Sequence, residues 1–229
     1  MAYSRPDDLP DLPDPGELTA RMAGIGMNFA AEARSDDDIE LTLVYASEVG
    51  MEEGDLRVLS VLTTWMGVHR THVNVDRLVR FVSRHPSERV KAYWSAIGNW
   101  LGKDRRYTHL ASGYEGAAID LLPVGTAYQL ARRGEDERFT GSKLRVPRGS
   151  LRDRPEDVLT PELLIARHAG YRNRVLLGPS WRADVWTVLE RERDLSVSEI
   201  ARQVSCSFAA AWRATQDFRL LRRADRTAG

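Results

Sequence analysis

The feature that most constrains the fold of this chain is a helix-start signal near the C-terminus, followed by a very short break. Ser196 and Glu199 have the S-x-x-E spacing of a capping box, in which both side chains satisfy free N–H groups at the start of a helix. The sequence therefore predicts a helix at 197–204, the three-residue turn Ser205–Ser207, and another helix at 208–220. Because the turn is so short, the two helices must cross steeply.

A further helix is predicted immediately upstream, at 181–191, which completes a three-helix unit. The apolar residues Ile200, Ala201 and Val204 have the spacing of one buried helix face. Ser207 can cap the helix that follows the turn. We expect Cys206, within the turn, to be a small buried hydrophobic residue rather than a redox sensor.

This unit resembles the helix-turn-helix superfamily and, more narrowly, bacterial winged-helix regulators. The residues that carry the resemblance are a small alanine in the second helix, an apolar residue in the turn, a serine opening the third helix and an apolar residue four places later. They are Ala201, Cys206, Ser207 and Ala211, and the resemblance covers about 45 of 229 residues. It implies that the third helix, the recognition helix, enters the major groove of double-stranded DNA.

The sequence departs from that family pattern in two ways. Many relatives have glycine in the turn where this chain has Ser205, so a left-handed backbone there would be strained. The chain also ends at Gly229, which leaves room for one strand after the third helix but hardly for a two-stranded wing.

The resemblance and the residue types together yield the candidate DNA contacts. Arginine and glutamine suit base edges, and arginines also suit backbone phosphates. The predicted DNA-binding residues are Ser207, Arg213 and Gln216 on the recognition helix, with Arg219, Arg222, Arg223 and Arg226 on phosphates. Binding to a palindromic site would require a homodimer.

Phe208 and Trp212 are unusual on a groove-facing surface and define the alternative hypothesis. In it, the chain is a protein-interaction component, antitoxin-like or a defence-system subunit, that docks a partner through these two aromatic residues. Burial of both would leave the helix face free for DNA, whereas exposure of both with the arginines turned away would favour docking. The first 140 residues are acidic, whereas the last 89 carry 17 lysines and arginines against 11 aspartates and glutamates. The acidic part would suit a basic protein as partner, and the basic part would suit a polyanion.

Helical periodicity dominates the rest of the chain, so the predicted fold class is mainly α, an N-terminal helical domain plus a C-terminal winged-helix-like domain. We divide it into an acidic, proline-rich and disordered arm, a helical domain, a basic linker with a short helix, and the C-terminal domain. The boundaries are 1–16, 17–140, 141–178 and 179–229. The segment 56–106 has a similar order of helices and is a possible second helix-turn-helix unit.

Several classes of function are not expected from the sequence. No nucleophile, nucleotide-binding or metalloprotease motif is present, so we expect no enzyme and no cofactor. His69 and His72 stand three residues apart without accompanying cysteines or paired carboxylates, so we expect no metal site. A single cysteine, no secretory signal and no long apolar stretch predict a cytoplasmic protein without a membrane partner.

Overall fold

A computed structural model of the chain describes residues 9–34 and 37–227, with side chains as far as residue 224. The structure is mainly helical, as predicted. The described residues form twelve α-helices and one small sheet. The helices are α1 (Pro15–Gly24), α2 (Ile39–Glu52), α3 (Leu56–His69), α4 (Val75–Arg84), α5 (Glu88–Trp100), α6 (Thr108–Ala111), α7 (Thr126–Arg133), α8 (Pro161–Arg167), α9 (Ala169–Leu177), α10 (Trp181–Arg191), α11 (Val197–Gln203) and α12 (Phe208–Thr227), and the strands are β1 (Ile119–Asp120) and β2 (Leu144–Arg145).

Short polar side chains define where most of the early helices begin. The carboxylates of Asp14, Asp38 and Asp55 accept hydrogen bonds from free N–H groups at the starts of α1, α2 and α3. Asn74 does the same for α4, and Ser87 for α5. Each of these five caps satisfies N–H groups that have no partner inside the helix, and so fixes where that helix begins.

The larger of two hydrophobic cores is built around α2, α3 and α5. Its largest buried side chains include Trp65, Tyr93 and Trp94. Each has a polar partner: the Trp65 indole donates to the Ile25 carbonyl at 2.8 Å, the Trp94 indole donates to the Ser47 hydroxyl at 2.9 Å, and the Tyr93 hydroxyl lies 3.1 Å from the Thr63 hydroxyl. Because the polar end of each ring is satisfied, these rings can be buried without a large desolvation penalty.

Segments predicted to lie outside the helical domain also contact this core. From the predicted arm, Leu9 packs against the core, and the Tyr45 hydroxyl donates to the Pro10 carbonyl at 3.0 Å. Residues 1–8 lie outside the described part of the chain. β1 and β2 pair in parallel, with Ile119 opposite Leu144. The segment predicted as a linker contributes six buried side chains, namely Leu144, Val146, Leu151, Val158, Leu164 and Tyr171.

The possible second helix-turn-helix unit at 56–106 does have three helices, α3, α4 and α5. However, α5, which would be its recognition helix, is buried over most of its length, from Val90 to Gly98. Little of α5 is therefore exposed for contact with a groove. From Ala92 to Gly98 the helix has only apolar, aromatic and small residues, so every side of this stretch can pack within the core.

The three-helix unit of α10, α11 and α12 has a core of its own. Nine buried residues form it, at positions 185, 188, 189, 200, 201, 204, 206, 211 and 214. The prediction that α12 ends at Leu220 is wrong, because the helix continues to Thr227 and no strand follows it among the described residues. The stretch after Leu220 holds leucine, arginine and alanine, which favour helix, and no glycine or proline before Gly229.

A buried group of charged residues joins the three-helix unit to the larger core. Arg174 on α9 contacts Glu40 on α2 at 2.6 Å and 2.7 Å, and contacts Asp184 on α10 at 2.8 Å and 3.0 Å. Asn74 donates to Asp184 at 2.9 Å, and Arg77 lies within 4 Å of both carboxylates. We call these five residues the seam cluster. All five are nearly inaccessible to solvent, so α10 is fixed to the rest of the molecule.

Candidate nucleic-acid interface

The capping box that begins α11 is present as predicted. The Ser196 hydroxyl accepts from the Glu199 N–H at 3.2 Å, and the Glu199 carboxylate accepts from the Ser196 N–H at 2.8 Å. These reciprocal bonds keep the pKa of Glu199 below its ordinary value, because both favour the ionised form. The start of α11 is thereby held in one position relative to the turn that follows it.

The turn between α11 and α12 adopts the backbone geometry that the sequence analysis raised as a possible cost. Ser205 has φ of 56°, in the left-handed region, and it is the only non-glycine residue with positive φ among the described residues. Its carbonyl accepts a hydrogen bond from the Arg80 guanidinium of α4. The turn is therefore held partly by the larger core as well as by its own unit.

The inward side of the unit matches the sequence pattern. Ala201, Cys206 and Ala211 are all at most 2% exposed, so each is buried as expected. Small side chains at these positions let α12 cross close to α11, and α12 also packs on α10. The Trp186 indole adds a hydrogen bond to the Ala214 carbonyl at 3.1 Å, which ties α10 to the middle of α12.

The outward side of α12 carries both aromatic candidates and two of the polar ones. Phe208 is 44% exposed and Trp212 is 49% exposed. Arg213 is exposed and Gln216 is partly exposed, and positions 208, 212 and 216 are four residues apart, so they share one face. The aromatic residues and Arg213 are thus exposed together. Burial of both aromatic residues would have favoured DNA binding, and their exposure with the arginines turned away would have favoured docking. The structure shows neither arrangement.

Ser207 lies at the first turn of α12. Its hydroxyl oxygen accepts a hydrogen bond from the Ala210 N–H at 3.2 Å, which is the predicted capping role. The side chain is partly exposed, so its O–H group can still donate to an external acceptor.

The terminal arginines lie further along α12 than the aromatic residues. Arg219, Arg222 and Arg223 are exposed, and they line a cleft of about 200 Å³ whose apolar floor is Leu189 and Phe218. Arg213, Arg219 and Arg222 form no ion pair with a described residue. Arg226 lies in the helix, but its side chain is outside the described part of the chain.

Arg193 is a basic residue of this cleft that the sequence analysis missed. It follows the end of α10, in the connection to α11, and lies beside Arg219 and Arg222. The sequence signal available was weak, because alternating charges at 190–194 are typical of any solvent-exposed helix end. Only the packing of α12 on α10 brings this arginine next to the terminal arginines.

His69, one of the two histidines not expected to bind a metal, has hydrogen-bond partners within the protein. The His69 ring lies 2.8 Å from the Tyr171 hydroxyl and 3.0 Å from the Leu159 carbonyl oxygen. Burial lowers the pKa of His69 to about 4. Within residues 9–34 and 37–227, no group of three metal-ligating side chains comes together.

No family model, curated protein or solved structure was found to match this chain in the three comparisons with known proteins. None of the described helices is both long enough and apolar enough to cross a membrane.

Proposed function

We propose that this chain binds double-stranded DNA through a helix-turn-helix formed by α10, α11 and α12, and that it is a transcriptional regulator of bacterial type. The observation that carries the proposal is the outward face of the first half of α12, where Arg213 is exposed beside Gln216 and forms no ion pair with any residue that the structure describes. These two residue types recognise base edges or phosphates. No catalytic role forms part of the proposal.

The dimensions of α12 fit this use. A helix rises about 1.5 Å per residue, so Phe208 to Gln216 spans about 12 Å, which matches the width of the major groove of B-DNA. Arg222 lies about 21 Å along the axis from Phe208. The first half of α12 would therefore lie within the groove, whereas the terminal arginines and Arg193 would face the phosphates that flank it.

A fixed recognition helix supports the same proposal. The seam cluster holds α10, and the Arg80 bond holds the carbonyl of Ser205 at the start of α12. A rigidly mounted helix loses less conformational entropy on binding than a flexibly attached one. Two copies of the chain would be needed for a palindromic site, so we include a homodimer on DNA in the proposal.

A polarisation titration of the full chain against duplex DNA, at about 50 and 200 mM salt, tests the proposal. Binding should weaken steeply with salt, with a log–log slope of about −0.9 for each phosphate contact. The stoichiometry of the saturated complex reports whether two copies bind. No binding at the lower salt concentration would exclude the proposed function.

Replacing Arg213 by alanine should weaken binding by about 1–3 kcal/mol if the guanidinium contacts a base. The matched control is Arg132→Ala, which removes an exposed arginine from α7, outside the three-helix unit, and should leave affinity unchanged. A change below about 0.3 kcal/mol for Arg213→Ala, well under one base contact, would remove this residue from the interface.

A second candidate function is favoured by one specific observation, the joint exposure of Phe208 and Trp212. Large exposed apolar residues mark protein-interaction surfaces in many proteins. In this alternative the chain is an antitoxin-like or defence-system component that docks a protein partner. If duplex DNA does not bind, and Trp212→Ala abolishes capture of a protein partner, this second function replaces the first.

A further inference from the structure

We propose that the first half of α12 recognises the 5-methyl groups of thymine, so that the preferred duplex is rich in A·T pairs. The inference rests on the proposed DNA binding and deepens it by naming the base chemistry that is read. Phe208, Ala209 and Trp212 would contact the methyl groups, and Gln216 would contact the adenines.

The proposal starts from the composition of the face that would enter the groove. Three of its five outward side chains are apolar, namely Phe208, Ala209 and Trp212, and all three are exposed. The major-groove edges of the four base pairs present hydrogen-bond donors and acceptors, and thymine alone adds a hydrocarbon group, its C5 methyl. An apolar helix face can therefore gain favourable contact in that groove only where thymines lie.

Neither Phe208 nor Trp212 belongs to the core of the three-helix unit. Neither ring is part of a stacked or edge-on aromatic pair among the described residues, whereas Trp186 and Phe218, on the inward side, pack edge-on at 5.5 Å. Phe208 and Trp212 leave close to half of their surface in water. Exposed apolar surface of this size favours contact with an external apolar group.

Gln216 supplies the second half of the recognition. It lies one turn beyond Trp212 on the same face and is partly exposed. A glutamine amide can bond both N6 and N7 of adenine, the partner of thymine. One face of α12 thus carries a match for each base of an A·T pair.

The charges around this face favour DNA over a second copy of the chain. Arg213, Arg219 and Arg222 flank the apolar residues and form no ion pair with a described residue. Two such faces in contact would bring like charges together, whereas a duplex presents phosphates on both sides of the groove. A protein partner is therefore the alternative outcome of the test.

The test compares three DNA duplexes of equal length, with alternating A·T pairs, alternating A·U pairs and alternating G·C pairs. In the A·U duplex, deoxyuridine takes the place of thymidine. The A·U duplex keeps every hydrogen-bonding group of the A·T duplex and lacks only the methyl groups. We expect binding to the A·U duplex to be roughly threefold to fivefold weaker for each contacted methyl group. This is the change in affinity that corresponds to the free energy of burying one such group. The salt dependence should be the same for both duplexes, because their phosphates are identical.

Two variants connect the effect to the helix face. Trp212→Ala and Phe208→Ala should each lower the ratio of A·T to A·U affinity, by the factor that belongs to the methyl contacts of the side chain removed. Tyr128→Ala removes a 64% exposed aromatic residue from α7 and should leave that ratio as in the wild type. Because all three side chains are exposed, far-UV circular dichroism should remain unchanged in every variant.

The possible results distinguish failure of this inference from failure of the proposed function. Equal wild-type affinity for the A·T and A·U duplexes, with steep salt dependence, would overturn methyl recognition and leave DNA binding intact. An A·U penalty that persists undiminished in both Trp212→Ala and Phe208→Ala would also overturn it. No binding to any of the duplexes at low salt would overturn both.

Discussion

At the scale of single residues, Ser205 is where local preference and tertiary structure conflict most directly. Its φ of 56° is a conformation that costs an L-residue about 1–2 kcal/mol relative to the right-handed region. The Arg80 hydrogen bond to its carbonyl and the packing of α12 on α11 maintain this conformation. The cost is thus offset by contacts with residues distant in sequence.

Ser205→Gly should raise the free energy of unfolding by about 0.5–1 kcal/mol, because glycine adopts positive φ without strain. The backbone carbonyl that accepts from Arg80 is kept in the variant. The measurement is the midpoint of urea unfolding. Ser198→Gly is the matched control: this exposed serine lies inside α11, where glycine should destabilise by about the same amount. A lower midpoint for Ser205→Gly would contradict the expectation.

His69 is the residue that should give the molecule a distinct pH dependence. Its Nε2 must carry the proton to donate to the Leu159 carbonyl, so Nδ1 accepts from the Tyr171 hydroxyl, and the neutral ring is fully satisfied. Burial lowers the folded pKa to about 4, from an ordinary value of 6.5. The unfolded chain therefore binds the proton first as the pH falls.

The stability contributed by neutral His69 should be fully present above pH 6.5 and should be lost between about pH 6.5 and 4. Within that range the unfolding free energy should fall by up to about 1.4 kcal/mol for each pH unit. Unfolding free energies of the wild type and His69→Gln across that range test this, because other titrating groups cancel in the difference. Parallel curves for the two proteins would show that His69 does not cause the loss.

At the scale of the secondary-structure element, the start of α11 should be sensitive to a single hydroxyl. Ser196→Ala removes the acceptor for the Glu199 N–H, and we expect a loss of about 1 kcal/mol in unfolding free energy. Ser198→Ala, two residues away and exposed, should be neutral or slightly stabilising because alanine favours helix. Chemical denaturation of both variants provides the comparison, and equal effects would argue against the capping role.

α12 shows how an element can exceed its sequence prediction. Its twenty residues from Phe208 to Thr227 form one helix, although only the first half is covered by the packing pattern of the three-helix unit. Leu220, at 66% exposed, is the predicted last residue, and Leu221, at 50% exposed, is the first residue beyond it. Good helix-forming residues continued the helix where a strand had been considered, since no breaker separates them from the core-facing half.

At the scale of the whole molecule, the seam cluster is the main polar connection between the two cores. Burial raises the pKa of Glu40, and the Arg174 guanidinium offsets part of that effect. Burial also acts to raise the pKa of Asp184, but Arg174 and Arg77 bring it below its ordinary value. Each charge is therefore tolerated in the interior only because its partners are present.

Arg174→Met should destabilise the protein by about 3–5 kcal/mol at neutral pH, since it leaves two buried carboxylates without their main partner. Arg172→Met is the matched control on the same helix, where the ion pair with Glu190 at 3.4 Å is exposed and worth about 1 kcal/mol or less. Urea denaturation at pH 7 measures both variants. Similar losses for the two would contradict a structural role for the seam cluster.

The sequence by itself determined the features that depend on near neighbours along the chain. The Ser196–Glu199 pair marked a helix start because capping bonds span only two or three residues. Apolar spacing likewise identified the buried face of the unit's second helix, where Ile200, Ala201 and Val204 are all buried.

Tertiary structure alone decided what covers each apolar face and which distant charges meet. Periodicity shows that a helix has an apolar side, but α5 is buried within the larger core while Phe208 and Trp212 on α12 remain exposed. Arg174 meets Glu40 across 134 residues of sequence. Such contacts arise from the packing of whole elements against one another, and no local pattern encodes them.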